Sequence, residues 1–324
     1  MEKKNSFMKN TISNKILKMN CKTTITLFIL ILLTLHGFAQ QPDYIYKNAG
    51  DSVQNFYVVR PPRGNVIGAV VLVSAGLSDN AKKSAYNSGI LLMTAVTTDA
   101  DLDFLMNDAL LKRLDSMIHE ASVKYKIPLN HIVIGGMSAA GALAVRYAEY
   151  CARKESAFGI MPIALFAADP PLDYERLYNE SENAVIRDFN PDAVTEGKEL
   201  IALFNKELKG SPVEKRKVYQ RVSPFSHTMK NGGNAEVLKN MNVRMYSEQD
   251  INWWINNRRK DFYDLNIIDV AAFVNQLKLL GNNNVELIAT SNKGYRKDGS
   301  RHPHSWSIVD DIELLAWCTQ LFKS

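Results

Sequence analysis

Cysteine is scarce in this 324-residue chain, which has three, too few for the disulfide framework of a small secreted domain. Glycine (17) and proline (11) are modest, which excludes a collagen-like or low-complexity chain. No internal repeat is present. No uncharged apolar run reaches the roughly 20 residues of a membrane-spanning helix. The sequence also lacks a G-x-G-x-x-G fingerprint, a P-loop and an H-E-x-x-H pair, so nothing signals a dinucleotide, a phosphate cradle or a zinc-protease centre. No cofactor and no metal is expected; His302-x-His304 has ligand-like spacing but no accompanying carboxylate pattern. What remains is an ordinary globular composition, 46% hydrophobic and 23% charged, with ample material for one large core.

The formal charge of +5 invites a nucleic-acid partner until its location is considered. Residues 1–22 hold six lysines and one acid, Glu2. An uncharged run follows from Thr23 to Leu35, then Gly37-Phe38-Ala39. A basic n-region, a short apolar stretch and small residues before a cut describe a secretory signal peptide, here 1–39 with cleavage after Ala39. Removing it leaves 33 basic and 33 acidic residues. The mature chain, 40–324, is therefore expected to be neutral and exported, periplasmic or secreted. It should have no nucleic-acid partner and no stable membrane insertion once the leader is cut. Cys21 leaves with the leader; Cys151 and Cys318 either pair or, as small apolar residues, are simply buried.

Continuous β-branched runs at Val66–Ser74 and Ile90–Val96 read as strands buried on both faces. Further strands are expected at His131–Ile134, Phe158–Ala167, Val243–Tyr246 and Asn284–Ala289. Helical spacing marks Leu102–Val123, Ala139–Ala152, Val270–Leu280 and Ile308–Phe322. This alternation predicts an α/β fold with a mostly parallel central sheet covered by helices on both faces. Residues at about 170–240 break the pattern. They are charged and helical in character, and predict a helical cap insertion within a single domain.

The motif with chemical content is Gly135-Gly136-Met137-Ser138-Ala139-Ala140-Gly141, between a strand and a helix. A turn this sharp strains the backbone at Ser138, forces small neighbours and presents the hydroxyl at the positive end of a helix. A nucleophilic serine needs a histidine base and an acid to orient it, and in strand-to-helix elbows of this kind they come later in the chain, in the order Ser, acid, His. Asp250 follows the Val243–Tyr246 strand, with Glu248 as the alternative. His304 precedes the terminal helix, with His302 as the alternative.

Together these three loops resemble the α/β-hydrolase superfamily over roughly residues 55–324, in the style of exported bacterial esterases and prolyl-oligopeptidase-like hydrolases. The resemblance implies Ser138 as nucleophile, His304 as general base and then acid, and Asp250 as the group fixing the imidazole tautomer. It also implies an oxyanion hole at the Ala139 N–H and an N–H of the Ser74–Leu77 loop, with Leu77 the choice. Many relatives carry His-Gly in that loop, and this chain does not. Trp253, Trp254 and Met137 are candidate pocket residues. The implied activity is hydrolysis of a carboxylic ester, on a small molecule or an acylated glycan. A peptidase, or a binding protein that keeps the fold without the chemistry, are the alternatives.

Overall fold

The computed structural model describes residues 41–47, 55–98, 100 and 102–324, so the signal-peptide reading of 1–39 lies outside the described residues. From Pro42 to Ser324 the chain forms one compact unit. Eight strands build one sheet: β1 (Asp43–Tyr46), β2 (Phe56–Arg60), β3 (Gly68–Val73), β4 (Ile90–Val96), β5 (Ile132–Met137), β6 (Ala164–Ala168), β7 (Asn242–Ser247) and β8 (Val285–Ala289). Their spatial order is β1-β2-β4-β3-β5-β6-β7-β8. β1 and β2 pair antiparallel at one edge, and every pairing from β4 to β8 is parallel.

Ten helices accompany them among the described residues. In order these are α1 (Asp79–Ser88), α2 (Asp103–Met106), α3 (Ala109–Tyr125), α4 (Ser138–Ala152), α5 (Tyr174–Arg187), α6 (Pro191–Leu208), α7 (Pro212–Val222), α8 (Ile251–Arg258), α9 (Ile267–Leu279) and α10 (Asp311–Lys323). Successive residues of β3 feed opposite cores, because side chains alternate across a strand. Ala69, Val71 and Val73 pack with α3, α4 and α9, whereas Val70 and Leu72 pack with α1 and α10. This split explains the cysteines. Cys151 lies in the first core and Cys318 in the second, and both are free and buried. The sheet stands between them.

The expected strands are all present, although β6 starts six residues later than Phe158. Gly159 at φ +71° turns the chain there, and Pro162 has no N–H to donate to a ladder. The single helix expected at Leu102–Val123 is two, α2 and α3, because Asn107 between them is extended. The insertion is helical, comprising α5, α6 and α7 before a 3₁₀ stretch at Lys230–Leu238. It packs its own apolar cluster, including Tyr174, Phe204 and Tyr219, against Leu105 and Ala142.

One carboxylate anchors this insertion. Asp269 in α9 is fully buried. It accepts from the Leu172 and Asp173 N–H groups at 3.0 and 3.1 Å, from Arg176 Nε at 2.6 Å and from His227 Nε2 at 3.1 Å. Four donors on one side chain fix the start and end of the insertion to the body, as a buried charge requires.

Candidate active site

β5 ends at Met137 with extended backbone, and α4 starts at the next residue. Ser138 therefore turns the chain alone, at φ +55°, in the left-handed region where a side chain costs energy. The turn closes only over small neighbours. A Cβ on Gly136 would stand 2.7 Å from the Ala140 carbonyl oxygen, and one on Gly141 would stand 3.1 Å from that of Gly136. The strained serine and the tiny residues around it are thus one local solution, as the sequence pattern implied.

Next to β5 lies β6, and the residue that leaves β6 is Asp169, also at positive φ, +48°. Its N–H donates to the Tyr246 carbonyl at 2.8 Å. Its Oδ1 accepts from the Ser247 hydroxyl at 2.7 Å, and its Oδ2 lies 2.7 Å from His304 Nδ1. A carboxylate can only accept, so Nδ1 carries the proton and donates. That leaves Nε2 as the basic nitrogen. Ser138, Asp169 and His304 line one cavity of about 240 Å³, with Ala139, Ser247 and Trp254. Leu177 of α5 and Leu200 of α6 close it from the insertion side.

The acid beside His304 is therefore Asp169, and the expectation of Asp250 is corrected. Asp250 caps α8 instead. Its Oδ1 accepts from the Trp253 N–H at 3.2 Å and its Oδ2 from Arg301 at 2.6 Å. Both oxygens are engaged, and β7, which precedes Asp250, stands two strands from β5. β6 is adjacent. Asp169 opens the insertion, where the sequence reads as a cap, so it does not stand out as a partner for the histidine. The available signal was Asp-Pro-Pro directly after the apolar run Ala164–Ala168.

Glu248 is a bracket for the histidine loop. It accepts from the Lys293 N–H at 2.8 Å, the Thr290 hydroxyl at 2.8 Å and the Gly294 N–H at 3.2 Å, and pairs with Arg301. Burial pushes its carboxyl up, but these donors outweigh burial and hold it below the usual value. Arg301, gripped by Glu248 and Asp250, donates in turn to the Gly294 carbonyl. The loop that carries His304 is thus pinned from two sides.

His302 belongs to the same scaffold. Its Nδ1 donates to the His304 carbonyl oxygen at 3.1 Å, and its ring stands edge-on to Trp253 at 4.6 Å and Trp254 at 5.6 Å. Of the candidate pocket residues, only Trp254 lines the cavity; Trp253 is spent on the His302 ring, and Met137 packs into the core on the α10 side. Ala139 lines the cavity. Leu77 does not: with Ala75 and Gly76 it borders a separate depression of about 250 Å³. No three His, Cys, Asp or Glu side chains converge as a metal site among the described residues. Nor is any described helix long and apolar enough to cross a membrane.

The His302 packing has a pH signature. Burial, with Arg296, His304 and Arg258 adding repulsion, lowers its pKa from 6.5 to about 4. In the unfolded chain His302 takes a proton near pH 6.5, whereas the folded protein resists until about pH 4. The neutral ring's contribution is therefore complete above pH 6.5 and lost as pH falls through that window, about 3 kcal/mol in all. Urea titrations at pH 7 and pH 4.5 should show a larger loss for the wild type than for His302→Gln. Equal losses would contradict the buried-ring assignment.

Solved structures share this architecture at low sequence identity. Esterase B from Lactobacillus rhamnosis matches with a TM-score of 0.53 at 12% identity, over 96% of each chain. Carboxyl esterase 2 from Tuber melanosporum matches with a TM-score of 0.54 at 12% identity, over 89% of each chain. The acylaminoacyl peptidase of Pyrococcus horikoshii gives 0.55 at 13% identity; the match covers 90% of this chain and 43% of that one. No family model and no curated protein sequence matches the chain.

Proposed function

Starting from the α/β-hydrolase fold that this chain has, we propose that it is an exported serine hydrolase that cleaves a carboxylic ester. The observation that carries this reading is the His304–Asp169 pair at 2.7 Å, in one cavity with a serine held at φ +55°. His304 Nε2 takes the Ser138 proton as Oγ attacks the carbonyl carbon. The tetrahedral intermediate collapses by breaking the bond to the alcohol oxygen, which receives that proton from His304. Water, deprotonated by the same nitrogen, then releases the acid and restores Ser138. Asp169 holds the imidazole tautomer and stabilises the imidazolium.

The oxyanion would rest on the Ala139 N–H, an N–H in the first turn of α4 and so without an intrahelical acceptor. A second donor would come from the Ser74–Leu77 loop; Leu77, the residue expected there, borders the neighbouring depression rather than the cavity, so the loop and not that residue is proposed. The loop follows β3, the other neighbour of β5. Each such donor typically contributes about 2.7–4 kcal/mol. The esterase neighbours support ester chemistry, and the leader supports a periplasmic or secreted enzyme meeting a small ester or an acylated glycan. Cleavage of aminoacyl amides is the second reading. Its support is Glu196 of α6, a cavity carboxylate without an ion-pair partner among the described residues, which suits an ammonium group.

A hydrolysis screen on purified protein decides between them, using acetyl and feruloyl esters beside aminoacyl amides. The expected result is turnover of esters and little or none of amides. Amide turnover exceeding ester turnover would install the peptidase reading, and a folded protein inert to every substrate would defeat both.

A further inference from the structure

The cavity around Ser138 carries more charge than ester cleavage uses, and most of it is matched internally. Asp169 is held by His304, Glu248 by Arg301, Asp264 by Arg187 and Glu180 by Lys260. Two lining guanidinium groups have no carboxylate within hydrogen-bond distance among the described residues, Arg296 and Arg258. Arg296 is exposed on the loop after β8, where water screens it. Arg258, the last residue of α8, is different. Its side chain is only 15% exposed, and its nearest carboxylate, Asp192, lies 3.8 Å away and is itself 86% exposed. That separation is too long for a hydrogen bond. The contact it does make is to a neutral acceptor, the Asn190 side-chain oxygen.

A guanidinium carries five N–H donors and cannot shed its charge. Placing one in a mostly buried position, hydrogen-bonded to a neutral amide and faced only by an exposed, water-screened carboxylate at 3.8 Å, leaves donors free and its charge weakly compensated, which a better-placed anion would offset. Its field reaches the His302–His304 loop, since Arg258 contributes, after burial, Arg296 and His304, to the lowered pKa of His302. The cavity has room for a compact charged group, and its Leu105, Leu177 and Leu200 walls offer no alternative partner for one.

We propose that Arg258 is a specificity residue that receives a carboxylate carried by the substrate, so that Ser138 acts on esters bearing a second, free carboxyl group. The inference rests on the serine-hydrolase reading above and names its substrate class. A planar fork of N–H groups matches both oxygens of a carboxylate, which an ammonium would meet only as a point charge. Glu196 is the competing determinant, since it would select a cation at the same cavity.

Matched esters test this on either side of the scissile bond. Monomethyl glutarate is compared with dimethyl glutarate, and 4-(acetoxymethyl)benzoate with 4-methylbenzyl acetate. In at least one pair, wild-type kcat/KM should favour the carboxylate by about 10- to 100-fold, the scale of one charge-assisted hydrogen-bonded pair. The ratio should fall to near one in Arg258→Leu, recover partly in Arg258→Lys, and shrink with added salt. No preference in the wild type, or a preference that survives Arg258→Leu, overturns the proposal. So does a preference for trimethylammonium esters that disappears in Glu196→Gln.

Calorimetry on Ser138→Ala with the same four compounds reads binding alone. Tighter binding of the carboxylate compounds, lost when Arg258→Leu is added, supports the proposal, and equal binding within both pairs overturns it. The two readings fail separately: without labelling or hydrolysis the enzyme assignment falls, and the calorimetry still decides Arg258.

Discussion

Replacing Ser138 by alanine should abolish labelling by a fluorophosphonate and lower kcat by a factor on the order of 10⁵–10⁶. The only heavy atom removed is the hydroxyl oxygen, the attacking atom of the proposed mechanism. Alanine at φ +55° bears much the same backbone strain as serine, so circular dichroism and melting should barely change. A second serine cannot take over, because the Ser247 hydroxyl in the same cavity is committed to Asp169 at 2.7 Å. Residual labelling of the alanine variant would place the nucleophile elsewhere. An unlabelled wild type that nevertheless folds would make the chain a binding protein on a hydrolase fold, since fold alone does not carry activity.

The parts of this site that the sequence announced are those with local physical causes. A sharp strand-to-helix turn demands small residues at fixed offsets, and Gly136, Ala140 and Gly141 show that demand in the chain itself. Buried parallel strands need continuous apolar runs, and β3 and β4 supply them. The edge strands were silent. β1 and β2 alternate between half-buried and exposed or buried positions, so neither stands out from loop composition. Helix α1 is equally silent in the sequence, since seven of its ten residues are polar and it buries only Ala81 and Ala85. Tertiary pairing, invisible to any local window, decided the remainder. Glu248 and Asp250 occupy the loop where an acid was sought, yet both serve Arg301, and only the sheet order reveals that Asp169 is the nearer neighbour of Ser138.

That reassignment carries the sharpest test of the catalytic geometry. Asp169→Asn should cut kcat by about 10³–10⁴ with a much smaller change in KM. An amide at this position keeps the volume but loses the charge that, in the proposed mechanism, stabilises the imidazolium. Its nitrogen also donates, so one of its two partners, the Ser247 hydroxyl or His304 Nδ1, must reorient or take the other tautomer. Asp250→Asn should behave otherwise. Its side-chain oxygen still caps the Trp253 N–H, and Arg301 retains Glu248, so the expected cost is about 1 kcal/mol of stability and less than about tenfold in kcat. Measuring both variants on one ester separates the roles cleanly. A collapse in Asp250→Asn with near-normal Asp169→Asn would restore the acid to the loop after β7 and make the 2.7 Å contact at His304 a resting arrangement. Combining Asp169→Asn with His304→Ala adds a control. If the two act as one unit, the double variant should be hardly slower than His304→Ala alone, because an orienting carboxylate has nothing left to orient.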